Sequence, residues 1–206
     1  MEIPRPCKEE VKKYLKSWDS LEDYSLQERS LKKLFSETYP LNDNLDNVLI
    51  KVCALNQFYS IKIHKIFVLS KHIVKLNIDE DLYDNNLDLV GKIASGHGIH
   101  IKKTAKESYL FSFATKYCSH HKPEIYPIYD SFVEKILLYF KKRDEFSDFK
   151  KEDLKIYPIY KDILKQFSKF YELEDFSLKE IDRSLWQIGK EYFPKKYYNK
   201  KPNVIK

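Results

Sequence analysis

The chain has 206 residues, 43% of them apolar and 15% aromatic, a net charge of +6 and three cysteines without a CxxC pair. That suits one domain of residues 1–206, built as two lobes on a shared core, in a reducing compartment. Only four glycines occur, and neither GxGxxG nor GxxxxGK[ST] is present, so a Rossmann or P-loop enzyme is not expected. The N-terminus lacks an apolar signal region, and no apolar run approaches the roughly 20 residues that span a bilayer. The expectation is a cytoplasmic protein without a membrane partner.

In chain order the apolar spacing is helical. Val11, Tyr14, Leu15 and Trp18 mark one helix, and Leu45, Val48, Leu49, Val52 and Cys53 a second. A third is predicted from Ser60 through Ile63, Ile66, Phe67 and Ile73. "NIDEDLYDNNLD" reads as a surface loop; it lacks the central Gly and terminal Glu of a calcium site. "SGHGIHIKK" is the one glycine-rich turn, where His97 can touch phosphate or substrate. Helical spacing resumes in "ESYLFSFATKYC". It returns from about 131 with Phe132, Ile136 and Phe140, and from Pro158 with Ile163, Phe167 and Phe170. The last helix opens with Ser177 and Glu180 in a capping box and carries Leu178, Ile181, Leu185, Ile188 and Tyr192. The tail from about 194 to 206, with Lys195, Lys196, Lys200 and Lys201, is basic. The predicted fold class is all-α, a two-lobed bundle with a central cleft.

The phrase "IYPIY" occurs twice, in "EIYPIYDSF" (124–132) and "KIYPIYKDI" (155–163), 31 residues apart. A residue before proline avoids the helical region, so each copy is expected to enter extended and then turn into a helix. There is no third copy, and a solenoid needs at least three repeats. The copies differ where Asp130 stands against Lys161. Pro158 suits the first helical position. In the other copy Asp130 and Ser131 are natural caps, with Glu134 completing a capping box on Ser131. Asp130 then sits at a helix N-terminus, where the dipole favours negative charge. It is either a plain cap or a working carboxylate. Lys116 lies fourteen positions upstream, and the second copy repeats neither charge.

A helical lysine, a proline-containing approach and an aspartate opening a helix, as in "SFATKYCSHHKPEIYPIYDSFV", resemble the HhH-GPD superfamily of DNA glycosylases. The likeness is to the 8-oxoguanine glycosylase-like branch and its divergent bacterial relatives. It spans residues 45–192 in element order and is specific over 112–133. Where the family carries a Gly-rich hairpin before its lysine, this chain reads "KESYLFSFA". The resemblance implies a helix-hairpin-helix bundle that excises a damaged or modified base from DNA, as a monomer and without cofactor. It implies Asp130 as the stabiliser of an oxocarbenium-like state and Lys116 as nucleophile and lyase residue. "ALNQFYSIKI", with Asn56, Gln57 and Tyr59, resembles the helix junction that fills the gap left by a flipped base. "EIDRSLWQIGKEYF" resembles the helix that stacks on that base, with Trp186 and Lys190 on one side beside Gly189. A role against phage carrying modified DNA is compatible with this resemblance. The alternative is a non-catalytic helical module binding DNA or protein. "CSHH" has no second ligand pair, so no metal is expected.

Overall fold

The computed structural model describes residues 2–101 and 104–194. The tail lysines at 195, 196, 200 and 201 lie outside the described residues. Helices account for the described secondary structure apart from one isolated bridge between His100 and Glu107. In order they are α1 (Lys8–Asp19), α2 (Glu22–Lys32), α3 (Leu45–Phe58), α4 (Ile66–Leu76), α5 (Asp79–Tyr83), α6 (Leu89–Ala94), α7 (Phe111–His121), α8 (Ser131–Asp144), α9 (Tyr157–Phe170) and α10 (Leu178–Tyr192). A π-helical stretch, Lys33–Thr38, continues α2, and a 3₁₀ turn, Lys151–Lys155, leads into α9. None of the helices is long and apolar enough to cross a membrane.

Several boundaries depart from the periodicity. The acidic loop contains α5, and α4 starts six residues after Ser60. The intervening turn holds Ser60 and Lys62 at φ of 49° and 67°. It is locked by the Asn56 amide, which donates to Ile63 O (3.0 Å) and accepts from Ile63 N (2.8 Å). The charged stretch forming α2 shows little apolar periodicity, and it folds because Leu31 and, beyond it, Phe35 are fully buried.

α7 is the central helix. From Phe111 to His120 every side chain except Ser112 is buried, so its polar groups must find partners inside the protein. It packs against α3 and α6, while α10 packs against α8 and α1. The α8–α10 crossing is a backbone contact. A Cβ at Gly189 would lie 2.7 Å from Phe132 Cβ and 2.8 Å from Phe132 O. The space beside Gly189 is therefore filled by the start of α8, and no flat ligand can approach there.

Buried charge elsewhere is structural. The fully buried Lys51 donates to Tyr39 O, Leu41 O and Asn42 Oδ1 at 2.6–3.1 Å. Asn42 Oδ1 also accepts from the Tyr117 hydroxyl, and its amide donates to Asp79. Burial pushes the Lys51 amine down to about 8.

Candidate active site

Between Tyr126 and Asp130 the chain is neither helix nor sheet, yet it is largely buried. Its backbone groups must be paired, and side chains of three helices do this. From α9, the Tyr157 hydroxyl donates to Pro127 O (2.9 Å) and the Tyr160 hydroxyl to Ile128 O (2.7 Å). On α10, Asp182 Oδ2 accepts from Ile128 N (3.2 Å). On α7, Thr115 Oγ1 accepts from Tyr129 N (3.2 Å), and Ser112 Oγ and Lys116 Nζ donate to Tyr129 O (3.3 and 3.4 Å). The segment is a strap clamped by polar side chains, and it carries Asp130 to the start of α8.

Asp130 uses its two oxygens differently. Oδ1 accepts from Phe132 N at 2.8 Å, capping α8. Oδ2 lies 3.9 Å from Lys116 Nζ. Cap and charge partner are the same residue. Glu134 makes no capping box with Ser131; it accepts from the Tyr129 hydroxyl and pairs with Lys151 at 3.2 Å. The Lys116 amine also donates to Ser112 Oγ (2.7 Å) and sits 5.1 Å from the centre of the Tyr59 ring.

Both residues line a cavity of about 510 Å³. Trp18 of α1 and Tyr24, Gln27 and Glu28 of α2 form one side. Phe58, Tyr59 and Ser60 close another, with Ser119 and His120 of α7 below. Ile128, Asp130 and Phe132 enter from the strap, and Lys179, Asp182, Arg183, Trp186 and Lys190 from α10.

Of the residues singled out in the sequence, five meet here: Lys116, Asp130, Tyr59, Trp186 and Lys190. Trp186 packs edge-on against Trp18 (5.8 Å) and Tyr24 (5.1 Å), and Lys190 donates to the Tyr24 hydroxyl (2.7 Å). Three do not line the cavity. Asn56 is tied at both ends of its amide to Ile63. Gln57, one position further along α3, is exposed to solvent. His97 is buried in the glycine turn, where its Nδ1 accepts from Ile99 N (3.0 Å) and its Nε2 donates to Ala94 O (3.2 Å). With Nδ1 an acceptor the ring is neutral, so its 3.5 Å approach to Glu107 is not an ion pair. Burial pushes its pKa down in the same sense.

Two further groups belong to the site. Asp182 is buried, and desolvation, opposed by the Ile128 N–H and reinforced by Asp130, pushes its carboxyl up to about 7. Its spacing from Trp186 and Lys190, i to i+4 to i+8, was the available signal, since those positions share a helix face. His120 is held neutral: burial, then Lys179, pushes it down to about 3, and its Nε2 lies 3.0 Å from the Tyr59 hydroxyl. Burial also raises the Tyr59 hydroxyl above its usual range. Glu28 binds Arg183 (2.7 and 2.8 Å) and Lys179 (2.7 Å); burial opposes its charge, but the two cations outweigh it and hold its carboxyl below the usual range.

Among the described residues no group of three or more His, Cys, Asp and Glu side chains is arranged to hold a metal ion. The arrangement offers a carboxylate, an amine and a buried carboxyl around an aromatic-walled hollow, which suits covalent or electrostatic chemistry on a flat ligand.

No solved structure matches the chain. An uncharacterized protein of Haemophilus influenzae strain Rd is 43% identical over 159 residues, covering 76% of this chain and 74% of that protein. Residues 10–125 match HI_0787_N, an N-terminal domain, over a stretch that includes Lys116 and ends just before the strap. On both grounds the chain belongs to the HI_0787_N family.

Proposed function

We propose that this protein is a DNA N-glycosylase that removes a damaged or modified base, acting as a monomer on DNA through a two-lobed bundle of the helix-hairpin-helix kind. The observation that carries this reading is the 3.9 Å approach of Lys116 Nζ to Asp130 Oδ2 on the wall of one cavity. The walls supply what an everted base needs: the aromatic side chains of Trp18, Tyr24, Tyr59 and Trp186, and polar groups to orient it.

Breaking a C1′–N bond develops positive charge on the sugar. Asp130, fixed by its capping bond, offers a preorganised negative charge to that centre. The Lys116 amine, once it has given up a proton, can attack C1′ and form a Schiff base. Its bonds to Ser112 and the Tyr129 carbonyl orient it across the strap. The basic side chains among the cavity's lining, Lys179, Arg183 and Lys190, add positive charge that suits a phosphate group.

The test is a panel of duplexes carrying oxidised, deaminated and alkylated bases, incubated with and without borohydride. Base release, trapping of a covalent adduct that depends on Lys116, and loss of release in Asp130→Asn are expected. No release across the panel overturns the reading. Salt-dependent DNA binding that ignores both substitutions would instead identify a non-catalytic DNA-binding module.

A further inference from the structure

Three carboxyl groups line the cavity, and two are committed. Asp130 caps α8 with one oxygen and faces Lys116 with the other. Glu28 is held by Arg183 and Lys179. Asp182 differs. It is 8% exposed, lines the same hollow, and its one hydrogen bond among the described residues comes from Ile128 N. The bond ties it to the strap two residues before Asp130, and the Gly189–Phe132 contact fixes its helix against α8. It is therefore held in place by a single uncharged donor.

We infer that Asp182 is a catalytic acid of this site, giving its proton to the departing base; the inference rests on the glycosylase reading. As the C1′–N bond breaks, its electron pair passes to the base, and the Asp182 carboxyl O–H protonates a ring nitrogen. Water, or the Lys116 amine, adds to C1′. The proton released by that addition returns to the Asp182 carboxylate. Asp130 stabilises the sugar while Asp182 stabilises the leaving group, so the two carboxyls divide the bond between them.

The charged and titratable groups around Asp182 are Lys116 from α7, Asp130 from the strap, Tyr59 after α3, Tyr157 and Tyr160 from α9, and Lys179 from its own helix. Burial outweighs the two lysines and keeps the carboxyl protonated up to about pH 7. A donor that holds its proton near neutral pH can release it to a leaving base in the same range.

The experiment is single-turnover base release from pH 5 to 9, on whichever panel base the unaltered protein excises. The unaltered protein should lose rate as pH rises past about 7. Asp182→Asn keeps an acceptor for Ile128 N, so its melting temperature should hold at pH 4 and should not fall at pH 6, while its rate falls roughly 100- to 1,000-fold and loses the limb near 7. Asp182→Glu should restore the limb. A variant that keeps both the limb and the rate, or that loses rate with the limb unmoved, overturns the assignment. If Asp182→Asn does not fold, the unaltered profile decides, and a rate that does not decline above pH 7 overturns it. Release with no role for Asp182 sinks this inference alone. Absence of release by the unaltered protein sinks the glycosylase reading, and this inference with it.

Discussion

The two "IYPIY" segments share five residues and little else. In the second, Tyr157 is already the first residue of α9 and Pro158 lies in its first turn. In the first, the equivalent Tyr126 lies outside any helix, and the helix begins five residues later at Ser131. Helical bonds satisfy the second copy's backbone, whereas side chains from elsewhere satisfy the first copy's. Two of those side chains, Tyr157 and Tyr160, belong to the second copy itself. One copy is thus the clamp and the other the clamped strap. The matched tyrosines meet across the junction, the Tyr129 and Tyr160 rings edge to face at 5.6 Å and the Tyr126 and Tyr157 rings tilted at 5.9 Å. Identical five-residue runs take different backbones because their C-terminal neighbours differ: an aspartate that caps moves the helix start, and a lysine at the same place does not.

The sharpest way to break this comparison is to remove the charge that separates the copies. Asp130→Asn retains the cap, since Asn caps as well as Asp, but removes the negative charge that faces the buried Lys116 amine and should cost about 1–3 kcal/mol of stability. Base release should fall roughly 100-fold or more, the usual cost of losing a preorganised electrostatic group. Lys161→Ala, the matching change in the clamp, should leave release unchanged. Equal losses in the two variants would erase the functional distinction.

Stability against pH is the next largest effect. Burial pushes the Asp182 carboxyl up from its ordinary value near 3.8 to about 7 in the fold. Its raised value contributes stability that is complete below about pH 4 and lost as pH rises through 7. Three units at 1.36 kcal/mol each give an upper bound of about 4 kcal/mol. Urea midpoints should therefore fall between pH 4 and 8, and Asp182→Asn should flatten that slope.

Gly189→Ala drives a methyl into the Phe132 backbone. It should cost about 1–3 kcal/mol in chemical denaturation, and lower release by shifting the strap against α10. The smallest effect tests the clamp itself. Tyr160→Phe removes the hydroxyl bonded to Ile128 O, leaving a largely buried carbonyl without that donor. A loss of about 1 kcal/mol is expected. Tyr157→Phe should act similarly through Pro127 O, and the double variant should lose more than either alone.

Much of the helical layout was legible from apolar spacing, because α1, α3, α9 and α10 bury one stripe each. The α10 capping box forms as its residues suggest, with Ser177 N donating to Glu180 (2.8 Å) and Glu180 N to Ser177 (3.3 Å). α2 was not legible, because its charged residues hide a stripe completed only by Phe35 beyond its end. Asp130 stood out where the two copies differ, and the family resemblance paired it with Lys116, but their proximity depends on the strap folding back along α7, which needs tyrosines 30 residues downstream. Asn56 shows the opposite limit. An amide at a helix junction looks the same in sequence whether it faces a ligand or fastens a turn. Gly189, too, reads as open space until the neighbouring backbone is seen to occupy it.

The chain has two tryptophans, Trp18 and Trp186, and both stand on the cavity wall, 5.8 Å apart. Its intrinsic emission therefore comes from indoles at this one location, with no third fluorophore of that kind to dilute the signal. Any aromatic molecule entering the hollow should dim or shift that emission, so unlabelled protein serves as its own optical gauge of occupancy.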